Sequence, residues 1–299
     1  MRLRVKAPAT TANLGVGFDT LGLALKLYNI FEVNNEEPPG LEIYGEGAEI
    51  LSSRENNTFL STIDIFAKAF RCILPPLKIR VWNSIPLCKG LGSSATAIVA
   101  GLLVANSISG KKLTKKELLK YAVEIEGHPD NVSAAMFGGC TVSLFYNDKI
   151  VVKKIPFPDS LSLIVAIPEF DVPTGLSRTR LPRSVPFEVA TRGLARIGTF
   201  IASIVEKDLE ELSFILEDEL HEPYREEFIP NYNRIKREIL ERGAIGVMIS
   251  GSGPTIVILT CRDKSDTLYK SISEIFTSYD LNVKLLNLEI DDKGAVLEV

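Results

Sequence analysis

Histidine is almost missing from this chain: 299 residues contain two, His128 and His221, which excludes a multi-histidine metal centre. Cysteine is scarce as well. Cys72, Cys88, Cys140 and Cys261 are widely spaced in apolar surroundings, with no Cys-x-x-Cys pair. That pattern argues against a zinc site or a disulfide framework and predicts buried, reduced thiols in a cytoplasmic protein. No segment has the roughly 18 consecutive apolar residues of a bilayer span, so no membrane association is expected. The opening Met-Arg-Leu-Arg-Val-Lys alternates like a strand and lacks the apolar core of a signal peptide. Excess positive charge is absent too. The net charge of −4 is a poor footprint for nucleic acid, and no nucleic-acid partner is expected. Neither a Walker A loop nor a Gly-x-Ser-x-Gly elbow occurs, and there is no internal repeat or low-complexity tract.

With 45% hydrophobic residues, the chain is long and apolar enough for two core-bearing units. Periodicity predicts strands near 2–7, 22–33, 41–44 and 77–83, and a helix near 58–73 capped by Asn57 or Thr58. A helix at about 93–107 is apolar nearly all round and should be central. The Thr114-x-x-Glu117 capping box starts a helix that Gly127 and Pro129 stop after Glu126. Lys111, Lys112, Lys115, Lys116 and Lys120 read as a solvated face there. A short helix at 130–137 precedes a strand pair at 140–155 that turns at Asn147-Asp148. Pro156-Phe-Pro158 is the expected boundary, giving units 1–156 and 157–299. Past a strand at 161–167 come a loop at 170–186 and helices at 187–206, 208–220 and 231–242. Strands at 244–250 and 255–261, a helix at 264–278 and a strand at 282–290 then complete a βαββαβ, ferredoxin-like order.

The most informative stretch is Pro86, Leu87, Cys88, Lys89, Gly90, Leu91, Gly92, Ser93, Ser94, Ala95 and Thr96. Glycines admit close backbone approach, and the first amides of the helix that follows have no intrahelical partner. Together they describe an anion site, with phosphate as its usual occupant. The plain alternative is a helix start that needs glycine only for packing. Gly90, Gly92 and Ala95 also match a Gly-x-Gly-x-x-Ala dinucleotide loop, but the acidic ribose partner about 20 residues later is absent. Thr10, Thr11, Asn13 and Asp19 cluster on a glycine-containing turn, where turn chemistry alone would explain them. Glu124 and Glu126 sit where a helix end disfavours carboxylates, beside His128, Asp130 and Asn131. A divalent cation held with phosphate oxygens would account for them. Thr174 to Arg178, His221 to Arg225 and Gly251-Ser-Gly253 complete the candidates, with surface ion pairs and a tight hairpin as their ordinary readings.

Taken in order, these segments are far more specific. Pro86-x-x-x-Gly-Leu-Gly-Ser-Ser-Ala95 resembles the ATP-binding motif of the GHMP kinases. Pro8-Ala-Thr-Thr-Ala-Asn-Leu-Gly-Val-Gly-Phe-Asp-Thr-Leu-Gly22 and Glu126-Gly-His-Pro-Asp-Asn131 are similar to the homoserine kinase branch. Thr174-x-x-x-Arg178-x-x-Leu-Pro182, His221-Glu-Pro-Tyr-Arg225 and Ser250-Gly-Ser-Gly-Pro-Thr255 fit the same branch, so the resemblance spans essentially the whole chain. It implies an α+β, two-domain GHMP kinase fold: an S5-domain-2-like, ATP-binding half at 1–156 and a ferredoxin-like half at 157–299. It further implies Mg²⁺-dependent phosphorylation of L-homoserine by ATP, in threonine biosynthesis, by a cytoplasmic homodimer. Loop 86–96 would hold the triphosphate. Ser94 and a helix-end glutamate, Glu124 in preference to Glu126, would bind Mg²⁺. Arg178 and Arg225 would take the substrate carboxylate, and Asp130 and Asn13 its ammonium. Thr174 and His128 would complete the pocket, and Asp19 would support the N-terminal turn. Asn131, catalytic with Arg178 and Glu124, would orient the hydroxyl. An amide takes no proton at neutral pH, so the proton would pass to the transferring phosphate. Competing readings are a GHMP kinase for another small alcohol, a non-catalytic ligand sensor on the same fold, and a nicotinamide-binding oxidoreductase.

Overall fold

The protein is described by a computed structural model covering residues 1–298. Its first unit is built on β1 (Arg2–Asn13) and β2 (Gly17–Asn34), an antiparallel pair. Burial in β1 alternates as far as Lys6, with Leu3, Val5 and Ala7 inward; from Ala7 to Asn13 every residue is buried. The change marks where a second layer covers the strand's outer face. Next come β3 (Gly40–Gly45), the short helix α1 (Ala48–Leu51), α2 (Thr58–Ala69) and β4 (Lys78–Asn83). Helices α3 (Ser93–Ser109), α4 (Lys115–Glu126) and α5 (Asp130–Phe137) precede the hairpin β5 (Cys140–Tyr146) and β6 (Lys149–Ile155). That hairpin turns through Asn147 and Asp148, both at positive φ as a two-residue turn requires. Asn57 caps α2 by accepting from the Leu60 amide, and Thr114 and Glu117 form the expected capping box on α4. Helix α3 is central, its residues from Ala95 to Ala105 all buried except Ala97, which lines the cavity described below.

The second unit holds β7 (Leu161–Pro168), α6 (Thr174–Thr179), α7 (Phe187–Glu206), α8 (Leu212–Ile215) and α9 (Tyr232–Glu241). Then follow β8 (Gly246–Ile249), β9 (Ile256–Cys261), α10 (Ser265–Ser278) and β10 (Val283–Leu288). The sheet runs β10-β7-β9-β8, antiparallel throughout, which is the split βαβ arrangement expected from the element order. Both faces are buried. Ile164, Ala166, Ile256 and Ile258 pack on α9 and α10. Leu163, Val165, Val257 and Leu259 instead join Ala9, Leu21, Leu23 and Leu91 of the first unit. The two units therefore share a core, which sets their catalytic edges against each other.

Three expectations need correction. The predicted helix at 208–220 is a single turn, Leu212–Ile215. The Asp218 carboxylate accepts the backbone N–H groups of Leu220, His221 and Glu222, a local arrangement that competes with the helical ladder. Lys115 is not on a solvated face: half-buried, it donates to the carbonyls of Met136 and Ala295, and burial lowers its pKa. Of the cysteines, Cys140 alone is fully buried, and Cys88 is exposed on the glycine loop.

The first sheet's β6 ends at Ile155 and the second sheet's β7 begins at Leu161, but the end of the chain does not stay with the second sheet. Beyond β10 it returns to the first sheet, where β11 (Val296–Glu298) pairs with β1 and the Ala295 amide donates to Ala135 of α5. Gly294 makes this return possible. Its φ is +68°, and a Cβ there would lie 2.5 Å from the Gly138 nitrogen. Gly294→Ala should therefore destabilise the protein by about 2 kcal/mol or more. An unchanged urea midpoint would contradict this docking.

Candidate active site

A cavity of about 410 Å³ lies along the seam between the units, within the usual range for a small-molecule site. Its middle is the glycine loop. Cys88, Gly90 and Gly92 have φ of 54°, 75° and 67°, and Gly92 is the N-cap of α3, with no side chain to bond the first-turn amides. Those amides are left for a ligand at the positive end of the helix dipole. Neighbours approach too closely for any other residue type: a Cβ on Gly92 would sit 1.9 Å from Thr10 Oγ1, and one on Gly90 2.1 Å from the Ser250 carbonyl. Pro86 to Ser94 line the cavity, whereas Ala95 and Thr96 face the core. The Lys89 ammonium is turned away, donating to the carbonyls of Glu169 and Phe170 and pairing with Asp171 at 2.7 Å. It anchors the loop and is not free to meet a ligand, which leaves the backbone amides as the loop's donors toward the cavity.

One end of the cavity is apolar, lined by Phe31, Ile43, Ile50, Phe59, Val81 and Leu87. Nothing in the glycine loop announces this arm, because its residues come from strands and helices far apart in sequence. Asn29 holds it to the loop by accepting the amides of Ser84 and Ile85.

The other end carries charge. Asn13, Asp19, His128, Asp130, Asn131, Thr174, Arg178 and Arg225, all singled out from sequence, line it together. Asp19 receives a two-pronged ion pair from Arg178 at 2.7 and 3.2 Å. Asn13 is occupied structurally: its Oδ1 accepts the Asp19 amide, and its Nδ2 donates to the Gly251 carbonyl. Asp130 Oδ1 lies 2.5 Å from His128 Nδ1 and accepts the Asn131 amide at 2.7 Å. Burial opposes the charged form of His128, but the hydrogen bond and charge of Asp130, with help from Glu126, raise its pKa overall.

Arg225 differs from every other cation in the site. It is buried, NH1 donates to the Gly251 carbonyl at 2.7 Å, and Nε has no partner. No carboxylate lies within ion-pair distance of it among the described residues. Burial, followed by repulsion from Arg178, pushes its pKa down to about 10. Phe18 holds both guanidinium groups over its ring, at 5.8 Å for Arg178 and 5.4 Å for Arg225. Ser252, of the candidate Gly251-Ser-Gly253 hairpin, has its hydroxyl 3.2 Å from that of Thr174, whereas Phe18 lies outside the candidates read from sequence and carries no signal beyond its place in the N-terminal motif.

The helix-end glutamate beside Ser94 is Glu126, and the preference for Glu124 is corrected. Ser94 Oγ donates to Glu126 Oε2 at 2.8 Å, whereas Glu124 is exposed on the outer face of α4, 3.8 Å from Lys120. Two residues along a helix turn about 200°, so both cannot face the cavity. Burial pushes the Glu126 carboxyl pKa up, although the charge of His128 and the Ser94 hydrogen bond oppose it. Asp19, His128 and Asp130 also bring potential ligand atoms within 4.8 Å of one another, but Asp19 is already neutralised by Arg178 and Asp130 is bonded to His128.

Comparison with known proteins agrees with this arrangement. The family description "GHMP kinases N terminal domain" matches residues 57–139, and "GHMP kinases C terminal" matches residues 200–277. The homoserine kinase of Carboxydothermus hydrogenoformans is 40% identical over 98% of this chain and 95% of its own length. That of Petrotoga mobilis is 38% identical, with coverage of 98% and 95%. Among solved structures, homoserine kinase from Cytophaga hutchinsonii superposes with a TM-score of 0.88 at 28% identity, covering 99% of this chain and 97% of that one. Mevalonate kinase of L. major, at 16% identity and a TM-score of 0.70 over 96% of this chain and 95% of its own, shares the fold. This chain belongs to the GHMP kinase family, in its homoserine kinase branch.

Proposed function

We propose that the cavity brings ATP and L-homoserine together and that the enzyme transfers the γ-phosphoryl group to the homoserine hydroxyl, giving O-phospho-L-homoserine and ADP. The observation that carries the acceptor is Arg225: a buried guanidinium with no carboxylate of its own, across from the acidic groups Asp19 and Asp130. A zwitterionic amino acid needs charges of both signs held apart, and this end of the cavity offers them. Its carboxylate relieves Arg225 and its ammonium faces Asp130, with Arg178 and Thr174 closing the subsite. The adenine fills the apolar arm, and the triphosphate lies along the amides that follow Gly92. Cytoplasmic ATP fits a protein whose cysteines are free thiols, and no helix among the described residues is long and apolar enough to cross a membrane.

Magnesium fits the donor set at Ser94 and Glu126. Both offer hard oxygen ligands beside the phosphate loop, and a carboxylate whose pKa burial raises is relieved by a nearby dication. When bound, the ion neutralises phosphate charge. The protein's own residues supply alignment: the loop amides hold the donor, Arg225 and Asp130 fix the amino-acid head group, and Asn131 orients the hydroxyl. As the oxygen–phosphorus bond forms and the bond to ADP breaks, the hydroxyl proton passes to the transferred phosphoryl oxygens. No side chain is required as a base, because the transition state is loose and the proton need not leave early.

A coupled ADP-release assay with Mg-ATP should respond to L-homoserine and hardly at all to mevalonate or shikimate; no response to homoserine would overturn the acceptor assignment. Arg225→Lys keeps the charge but loses the planar fork. It should raise KM for homoserine about 10–100-fold, as expected for losing charge-assisted hydrogen bonds, while KM for ATP stays within about threefold. Glu126→Gln should raise the Mg²⁺ concentration for half-maximal rate about tenfold or more, and Glu124→Gln should leave it unchanged. The reverse order would restore Glu124 as the ligand.

A further inference from the structure

We propose that Thr10 is a positioning residue for phosphoryl transfer, locking the Asn131 amide so that its NH₂ group, and not its carbonyl, meets the acceptor hydroxyl. This rests on the kinase reading above and extends it to a residue that lies beneath the cavity wall. Thr10 is fully buried, and its hydroxyl donates to Asn131 Oδ1 at 2.7 Å. No other protein acceptor is recorded for that hydroxyl among the described residues.

The opposite amide orientation is disfavoured from two sides. It would place the amide oxygen where Nδ2 now stands, 3.5 Å from Asp130 Oδ1, a carboxylate oxygen already pinned by His128 and the Asn131 amide. It would also oblige the Thr10 oxygen to accept a hydrogen bond from the amide, leaving its own hydroxyl hydrogen buried without an acceptor. Thr10 and Asp130 together therefore select a single orientation, with Oδ1 engaged and Nδ2 available to the cavity.

The same residue touches the donor side. Its backbone N–H bonds the Leu91 carbonyl at 3.1 Å, and its Oγ1 is the atom that a Cβ on Gly92 would strike. One residue of β1 thus sets the phosphate loop and the acceptor amide in register. The chemical consequence is specific. An NH₂ donor engages a lone pair of the hydroxyl oxygen and leaves that oxygen's proton directed away from Asn131, toward the transferred phosphoryl group. A carbonyl in the same place would hold the proton back. Alignment errors of this kind act on the transition state more than on ground-state binding.

The test is a double-mutant cycle on the full-length enzyme, reading kcat, both KM values and the thermal midpoint. Thr10→Val should lower kcat at least about tenfold, with KM for ATP and homoserine within about threefold. Thr10→Ser, which keeps the donor, should stay within about threefold of the unaltered enzyme. In an Asn131→Ala background Thr10→Val should add less than about twofold, because its target is gone. If Thr10→Val does not fold, Thr10→Ala carries the same expectations. An equal loss with and without Asn131, or a loss in step with the folded fraction while kcat per folded enzyme holds, would overturn the proposal. Failure of the kinase reading would show separately, as no homoserine-dependent ADP release by the unaltered protein.

Discussion

Everything in the site depends on one junction, where three backbone segments meet closer than side chains would allow. The end of β1, the loop at 89–92 and the hairpin at 250–255 interlock through glycines. The Gly251 amide donates to Ala12 and the Thr255 amide to Lys89, while the Ser250 hydroxyl lies 2.7 Å from the Gly90 carbonyl and 2.9 Å from Thr11 Oγ1. Buried backbone polar groups need partners, and here the partners belong to the other unit. The shared apolar layer beneath, to which Ala9, Leu91 and Met248 all belong, holds the junction shut. The glycine loop and the charged end of the cavity thus share one wall, as the proposed phosphoryl transfer, which relies on alignment, would require.

Charge is arranged on that wall with the same economy. Arg178 is neutralised by Asp19, His128 is stabilised by Asp130, and Glu126 is held by Ser94. Arg225 has no such partner, and its pKa is depressed toward about 10 by burial and by Arg178. An unpaired buried charge destabilises a free protein. On the proposed reading, a substrate carboxylate that relieves it would contribute both affinity and selectivity, since an uncharged alcohol would leave the guanidinium as it was.

How much of this the sequence revealed depended on how local the signal was. Caps, turns and the ferredoxin-like order were legible because Asn57, Thr114, Gly127 and Asn147 act on their own neighbours. The glycine loop and the residues gathered at the charged end were legible as motifs. Glu126 was not separable from Glu124, because the packing of the α3 N-terminus against the end of α4 decides between them. In the sequence Thr10 reads as turn chemistry, but it lies in β1, which changes from one-sided to two-sided burial at Ala7 because the second unit covers it. The return of the chain end, whose three-residue strand β11 needs β1 as its template, was equally invisible. At 208–220 apolar residues suggest a helix, but only one turn forms, and at the segment's end the Asp218 carboxylate takes the Leu220 amide along with those of His221 and Glu222.

The central claim is that a zwitterionic head group, gripped through Arg225, defines the acceptor. The most direct measurement compares ADP release with L-homoserine and with 3-amino-1-propanol, which keeps the ammonium and the hydroxyl but lacks the carboxylate. The account predicts that the amino alcohol loses about 100-fold or more in kcat/KM, the equivalent of about 3 kcal/mol of charge-assisted binding. Comparable values for the two compounds would contradict it.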